Sequence, residues 1–218
     1  ARYMSILESI ALGHTTPNEI SGATGIDSGP LSKYLRKLQQ LRLIDREVPV
    51  TASAKKSKRS KYYVADEFLR FWFRYLSPNR ATLEQGHTTP VLNAITETLP
   101  KHASWTFEDV CRQAVRTPSF PVDCSRVGRW WYDELEVDVA GVNDSTETLL
   151  LGECKWTSEP VGRELLQNLE SVESKVRWHG SDRSIRYALF ARRGFTPDLQ
   201  DLAAERPDVF LLTTDDVF

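Results

Sequence analysis

Cysteine is scarce in this sequence, with three residues in 218, and Cys111, Cys124 and Cys154 show no CxxC spacing. An odd, scattered set argues against a disulfide framework, and four histidines spread along the chain argue against a zinc site. A reducing, cytoplasmic setting is expected. No apolar run approaches the roughly 20 residues that a bilayer-spanning helix needs, and the start shows no signal peptide, so no membrane partner is expected. Methionine occurs once, at Met4, inside an opening stretch, ARYMSILESI, that reads as the middle of a helix. A piece of a longer protein is therefore expected. Net charge is small as well, −2 overall, but it conceals two opposed regions. Ala1 to Leu76 carries 13 Lys and Arg against 7 Asp and Glu, a net of +6, and the remainder carries 15 against 23, a net of −8. A basic front suggests a polyanion partner, and an acidic back suggests a solvated surface or a cation site.

What is present is an ordinary globular composition, 40% hydrophobic and 27% charged, in a chain long enough for two domains. Two are expected, residues 1–78 and residues 79–218, with SPNRATLEQG reading as the loop between them. Tyr3 to Leu12 has helical apolar spacing. GHTTPNEI then supplies a capping box, with Thr16 as cap, Pro17 opening the helix and Glu19 folding back. In PLSKYLRKLQQLRLI, Leu31, Leu35, Leu38 and Leu41 make one apolar stripe, which leaves Ser32, Lys33, Arg36 and Lys37 on an outward basic face. LIDREVPV and YYVAD read as strands around the basic turn TASAKKSKRSK. Three helices and a basic-tipped hairpin predict a winged helix-turn-helix that holds double-stranded DNA, the third helix in the major groove. Lys55, Lys56, Lys58, Arg59 and Lys61 would contact the phosphate backbone. The aromatic helix EFLRFWFRYL closes this part, with Phe68, Phe71, Trp72 and Tyr75 as a packing face.

The second part reads as an α+β domain of order αβββαβ with an αβ extension, a mixed sheet carrying helices on its faces. A helix from Pro100 to Arg116 precedes strands at RVGRWW, LEVDVAGV and ETLLLGECKW, and the last two form a hairpin through Asn143, Asp144 and Ser145. Charged residues sit inside these buried strands, where they are costly without partners. By alternation Glu136 and Asp138 share a face, and so do Glu153 and Lys155. The hairpin brings Asp138 and Glu153 to one end of the sheet. Glu108, beside the helix stripe of Phe107, Val110 and Ala114, can lean over the same point. Converging carboxylates repel one another unless a divalent ion holds them, which points to Mg²⁺ or Mn²⁺ on Asp138, Glu153 and Glu108. Lys155 would neutralise a scissile phosphate or orient the attacking water. If the hairpin register is displaced by two residues, Glu136 replaces Asp138. Gln167 can approach this site or lie at the surface, and Trp130 and Trp131 pack the sheet.

LEVDVAG followed by GECKW, with a Glu-bearing helix upstream, resembles the PD-(D/E)xK nuclease core of helix acid, strand Asp and an ExK strand. KYLRKLQQLRLIDREVPV, ADEFLRFWFRYL, VGRWWYDELEVDVAG and GECKW together resemble the C-terminal region of a family of archaeal and bacterial P-loop ATPases. That resemblance implies a winged helix, a restriction-endonuclease-like domain and an ATPase module. No GxxxxGK[ST] occurs, so the ATPase module is absent from this chain. The expected function is Mg²⁺-dependent phosphodiester hydrolysis on DNA. The alternative is a DNA-binding or protein-interaction region without turnover.

Overall fold

A computed structural model describes residues 1–180 and 182–218. It is a mixed α+β protein in which the chain forms two compact units, one of residues 1–48 and 54–102, the other of residues 49–53 and 103–218.

The first unit opens with α1 (Arg2–Ala11), α2 (Pro17–Thr24) and α3 (Ser28–Gln40). Thr16 and Glu19 form the capping box that their spacing predicts: the Thr16 Oγ1 accepts the Glu19 N–H, and the Glu19 carboxylate accepts the Thr16 N–H at 2.8 Å. The helix ends on Gly25 in the left-handed region, φ 65°. Leu31, Leu35 and Leu38 are buried against Ile6, Ile10 and Ile20. Leu41, expected in the same stripe, is exposed, because at about 3.6 residues per turn it falls to the side of the line through Leu31, Leu35 and Leu38.

A hairpin follows, β1 (Ile44–Glu47) antiparallel to β2 (Lys61–Val64). Its first strand is shorter than VPV suggests. Pro49 to Ser53 belongs to the second unit, where the Val50 N–H donates to the Arg129 carbonyl at 2.9 Å and the Val50 side chain enters the core. The Arg46 guanidinium braces the rest of the loop through the Ala54 and Ser57 carbonyls, at 2.9 and 3.0 Å. α4 (Glu67–Phe71) then widens into a π-turn at Trp72–Leu76. That widening rotates the aromatic face, so Phe73 and Tyr75 are buried while Phe68 is exposed.

The stretch expected as a loop contains a short helix, α5 (Arg80–Glu84), held by the Arg80–Glu84 pair. α6 (Thr88–Val115) is longer than the Pro100 start implies. Pro100 lies inside it and removes one backbone donor, a local cost of about 3 kcal/mol that 28 residues of helix absorb.

In the second unit β3 (Arg126–Tyr132), β4 (Leu135–Asn143), β5 (Thr148–Lys155), β6 (Ser184–Ala191) and β7 (Val209–Thr213) form one sheet in that order. β3, β4 and β5 pair antiparallel, and β5, β6 and β7 pair parallel through α7 (Glu164–Glu173) and α8 (Pro197–Glu205). The chain ends in α9 (Thr214–Val217). The C-terminal part of α6 covers one sheet face through Phe107, Cys111 and Val115, which pack with Leu150, Cys154 and Phe190. This stripe lies one residue on from the expected one, and Val110 and Ala114 are only half-buried. Leu165, Leu166, Leu169 and Leu199 cover the other face, against Leu149, Leu151 and Leu189. No helix of the described residues is long and apolar enough to cross a membrane.

Candidate functional site

Strict alternation along β4 would put Val137 and Val139 on one face. They lie on opposite faces: Val137 packs with the α7 side and Val139 with the α6 side. The cause is a bulge. Between the pairs Gly128–Ala140 and Trp130–Val137, β3 advances two residues and β4 three. The extra residue falls at Asp138 or Val139, opposite Arg129, and re-aims the Asp138 carboxylate, which is a common use of bulges. Glu136 lies near enough for its charge to raise both Asp138 and Glu153. It pairs with Trp131 on β3 and is exposed.

The β4–β5 ladder runs to Val139 opposite Gly152. One step further, Asp138 lies beside the Glu153–Cys154 peptide, and its carboxylate accepts the Cys154 N–H at 3.0 Å. The turn that sets this register is built by Asn143, whose side-chain oxygen accepts the Ser145 N–H at 3.0 Å. Gly152 is needed for close approach, since a Cβ there would stand 2.9 Å from the Ala188 carbonyl and 3.2 Å from Val139 and Phe190. Cys154 faces the α6 core, so Glu153 and Lys155 point to the opposite face, where the Lys155 ammonium pairs with Glu153 at 2.9 Å.

Glu108 approaches from the α6 side and is held by two buried guanidiniums. Arg129 lies at 3.3 Å and Arg112 at 3.7 Å from its Oε2. Asp109 completes the cluster with a close contact to Arg112 and a 3.6 Å contact to Arg129. Arg112 also donates to the Asp138 main-chain carbonyl at 2.7 Å, tying α6 to the bulge. Sequence reasoning missed Asp109, Arg112 and Arg129. The first two carried a signal, because Arg112 follows Glu108 and Asp109 at the i+4 and i+3 spacings of helical ion pairs.

Burial, then repulsion from Asp138, pushes the Glu108 carboxyl up to about 7 in spite of the two arginines. Burial and Asp138 likewise push Glu153 up to about 7 against the pull of Lys155. Asp138 is raised by its own burial, opposed by the Cys154 N–H and Lys155. Burial draws the Lys155 ammonium down, but Glu153 and Asp138 outweigh this and its pKa is raised. Asp138 is thus the electrostatic centre, with Glu108 on one side of the sheet and Glu153 on the other. Among the described residues no group of three His, Cys, Asp or Glu side chains is placed to hold a metal ion. Glu108 has guanidiniums in place of a shared cation. The two strand carboxylates remain, and two are enough for Mg²⁺, which keeps several waters and shares substrate phosphates.

In the first unit Ser32, Lys33, Arg36 and Lys37 are exposed on α3, opposite Leu31, Leu35 and Leu38. Lys55, Lys56, Lys58 and Arg59 are exposed in the hairpin loop, and Lys61 is half-buried on β2 opposite Glu47. Gln167 is exposed on α7, whereas Trp130 and Trp131 are buried in the sheet.

Fold and site together define an α+β protein with a half-buried cluster of acids and a lysine at one end of a mixed sheet. Residues 72–173, which carry Glu108, Asp138, Glu153 and Lys155, match DUF234, a family of archaeal and bacterial proteins of unknown function. The chain is also 33% identical over 158 residues to an uncharacterized protein of Methanocaldococcus jannaschii, covering 71% of this chain and 35% of that one. The chain spans about a third of the length of the curated relative it matches. No solved structure matches it.

Proposed function

We propose that this chain is the DNA-binding and nuclease-like part of a longer ATPase, and that its second unit hydrolyses phosphodiester bonds with Mg²⁺ or Mn²⁺. One observation carries the reading: the bulged Asp138 meets the Glu153–Cys154 peptide at 3.0 Å, with Lys155 paired to Glu153 one step along the same strand. Half-buried acids with raised pKa values beside a lysine are a recognised mark of a functional site.

Asp138 and Glu153 would hold the ion. When bound, it supplies a lowered pKa for a coordinated water and countercharge for the transition state. Lys155 would contribute a mobile positive charge, with ammonium donors for the scissile phosphate or the attacking water. Arg112 keeps the Asp138 main chain in place through its 2.7 Å hydrogen bond. The first unit supports a winged helix by its order of three helices and a hairpin, and by exposed Lys33, Arg36, Lys37, Lys55, Lys56 and Lys58 with no carboxylate partner among the described residues. A chain spanning about a third of its relative leaves room for the ATPase module that the sequence resemblance implies.

The arginine clamp on Glu108 favours a second reading, in which the second unit keeps the nuclease-like scaffold without turnover. Incubation of supercoiled plasmid with the protein, with Mg²⁺, with Mn²⁺ or with EDTA, separates the two. Metal-dependent nicking that Asp138→Asn and Lys155→Ala both abolish supports hydrolysis. Nicking that persists in both variants, or none in the wild type, leaves the non-cleaving reading.

A further inference from the structure

The parallel strands β5 and β6 end side by side, Lys155 opposite Ala191, and the next residues along the two strands are Trp156 and Arg192. The C-terminal ends of parallel strands are where α/β sheets hold ligands. Here that edge carries Arg192 and Arg193, both exposed, and neither has a carboxylate partner among the described residues. Of the carboxylates in this part of the chain, Glu153 pairs with Lys155, Asp198 with Arg163, and Asp216, just past the Thr213 that pairs with Ala191, accepts the Thr213 N–H.

Exposed arginines are ordinarily solvated, and three observations set this pair apart. The Arg192 guanidinium lies 4.8 Å from the centre of the Trp156 ring, which fixes a side chain that would otherwise sample many rotamers. Trp156 is itself seated against Phe107 at 5.1 Å, so the platform is part of the α6 core. The backbone is pinned on both sides. The Arg192 N–H donates to the Lys155 carbonyl at 3.0 Å. Gly194, at φ 77°, makes the turn, and its carbonyl accepts the Val161 N–H at 3.0 Å. A guanidinium so held keeps its planar fork of donors free, which is the geometry that suits a phosphate.

We propose that Arg192, stacked on Trp156 and joined by Arg193, is a binding site for the phosphodiester backbone of duplex DNA at the edge next to Lys155. This rests on the hydrolase reading for the identity of the bound strand, because the site lies at the sheet end that also carries Glu153 and Lys155, on the α6 side with Trp156 while those two side chains point to the opposite face.

The test uses the full chain and a fluorescein-labelled 20-base-pair duplex in EDTA, with anisotropy measured from low to moderate salt, and the same proteins assayed for plasmid nicking in Mg²⁺. Removing one cation from a DNA phosphate lowers the slope of log affinity against log salt by about 0.9. Arg192→Ala is expected to lower the slope by about that amount and Arg192→Ala with Arg193→Ala by about twice as much, with affinity down roughly tenfold or more at low salt. Arg192→Lys should keep the slope, and Trp156→Leu should weaken binding without changing net charge. Unchanged slope and affinity in the double variant, with thermal unfolding as in the wild type, overturns the proposal. If the slope falls while the wild type nicks nothing, the phosphate site stands and the hydrolase reading fails. Nicking with an unaltered slope gives the reverse result.

Discussion

The Asp138 carboxylate accepts the backbone N–H of Cys154 at 3.0 Å, although the two residues lie 16 positions apart on neighbouring strands. The bulge in β4 makes this possible by turning Asp138 out of the alternation that Val137 and Val139 would otherwise impose. A carboxylate is thereby placed one step beyond the last rung of the β4–β5 ladder, beside the Glu153–Cys154 peptide.

Asp138→Asn preserves a side-chain oxygen for the Cys154 N–H while removing the negative charge. Thermal unfolding within a few degrees of the wild type is expected, with Mn²⁺ affinity, followed by calorimetry, at least tenfold weaker, because a hard divalent ion needs the anionic oxygen. Unaltered Mn²⁺ affinity would remove Asp138 from the proposed ligand set.

Glu108 provides a pH signature. Its folded-state pKa is raised to about 7, so its contribution to stability is fully present below the ordinary glutamate value and is lost as pH rises through about 7. Without divalent ions, the unfolding temperature should therefore climb as pH falls from about 8 toward 5, by about 2–4 °C for each kcal/mol. Glu108→Gln should flatten that part of the profile. A profile identical to the wild type would contradict the assignment.

Arg112 is almost wholly buried and serves Glu108, Asp109 and the Asp138 carbonyl together. Arg112→Met leaves Glu108 and Asp109 to share Arg129 and strands the Asp138 carbonyl, and a loss of about 3 kcal/mol is expected in urea unfolding. Adding Glu108→Gln to that variant should recover part of the loss, since one of the two charges left sharing Arg129 disappears. A strictly additive double variant would show that the two residues do not act as a pair.

Gly152→Ala forces a methyl group to within 2.9 Å of the Ala188 carbonyl, in a sheet that cannot yield without moving β6. A destabilisation of about 1–3 kcal/mol is expected. Wild-type stability would mean that β5 and β6 have room for a side chain between them.

Replacing Lys55, Lys56 and Lys58 by alanine removes three exposed cations from the hairpin loop. If they contact phosphates, the salt slope of duplex binding should fall by about 2.7, with little change in preference among sequences. Anisotropy titrations at several salt concentrations measure this directly, and an unchanged slope would exclude the loop from the interface.

Much of the fold was legible because it rests on local chemistry. The Thr16–Glu19 capping box, the buried Leu31, Leu35 and Leu38, and the turn at Asn143 each follow from residues within a few positions of one another. The proximity of Asp138 to Glu153 was legible for the same reason, since a short turn sets hairpin register. Three things were not. The bulge depends on how β3 pairs with β4 around Arg129, the docking of Val50 depends on a strand some 80 residues away, and the clamp on Glu108 needs Arg129 from a different element.

By itself, the sequence determined most of the elements, their order, the turn-set register of β4 on β5 and the approach of Asp138 to the Glu153 strand, because periodicity, caps and turns act over short range. Only the tertiary structure decided the charge balance among them. A buried carboxylate takes whichever cation the packed chain delivers to it, and for Glu108 that is the pair Arg112 and Arg129.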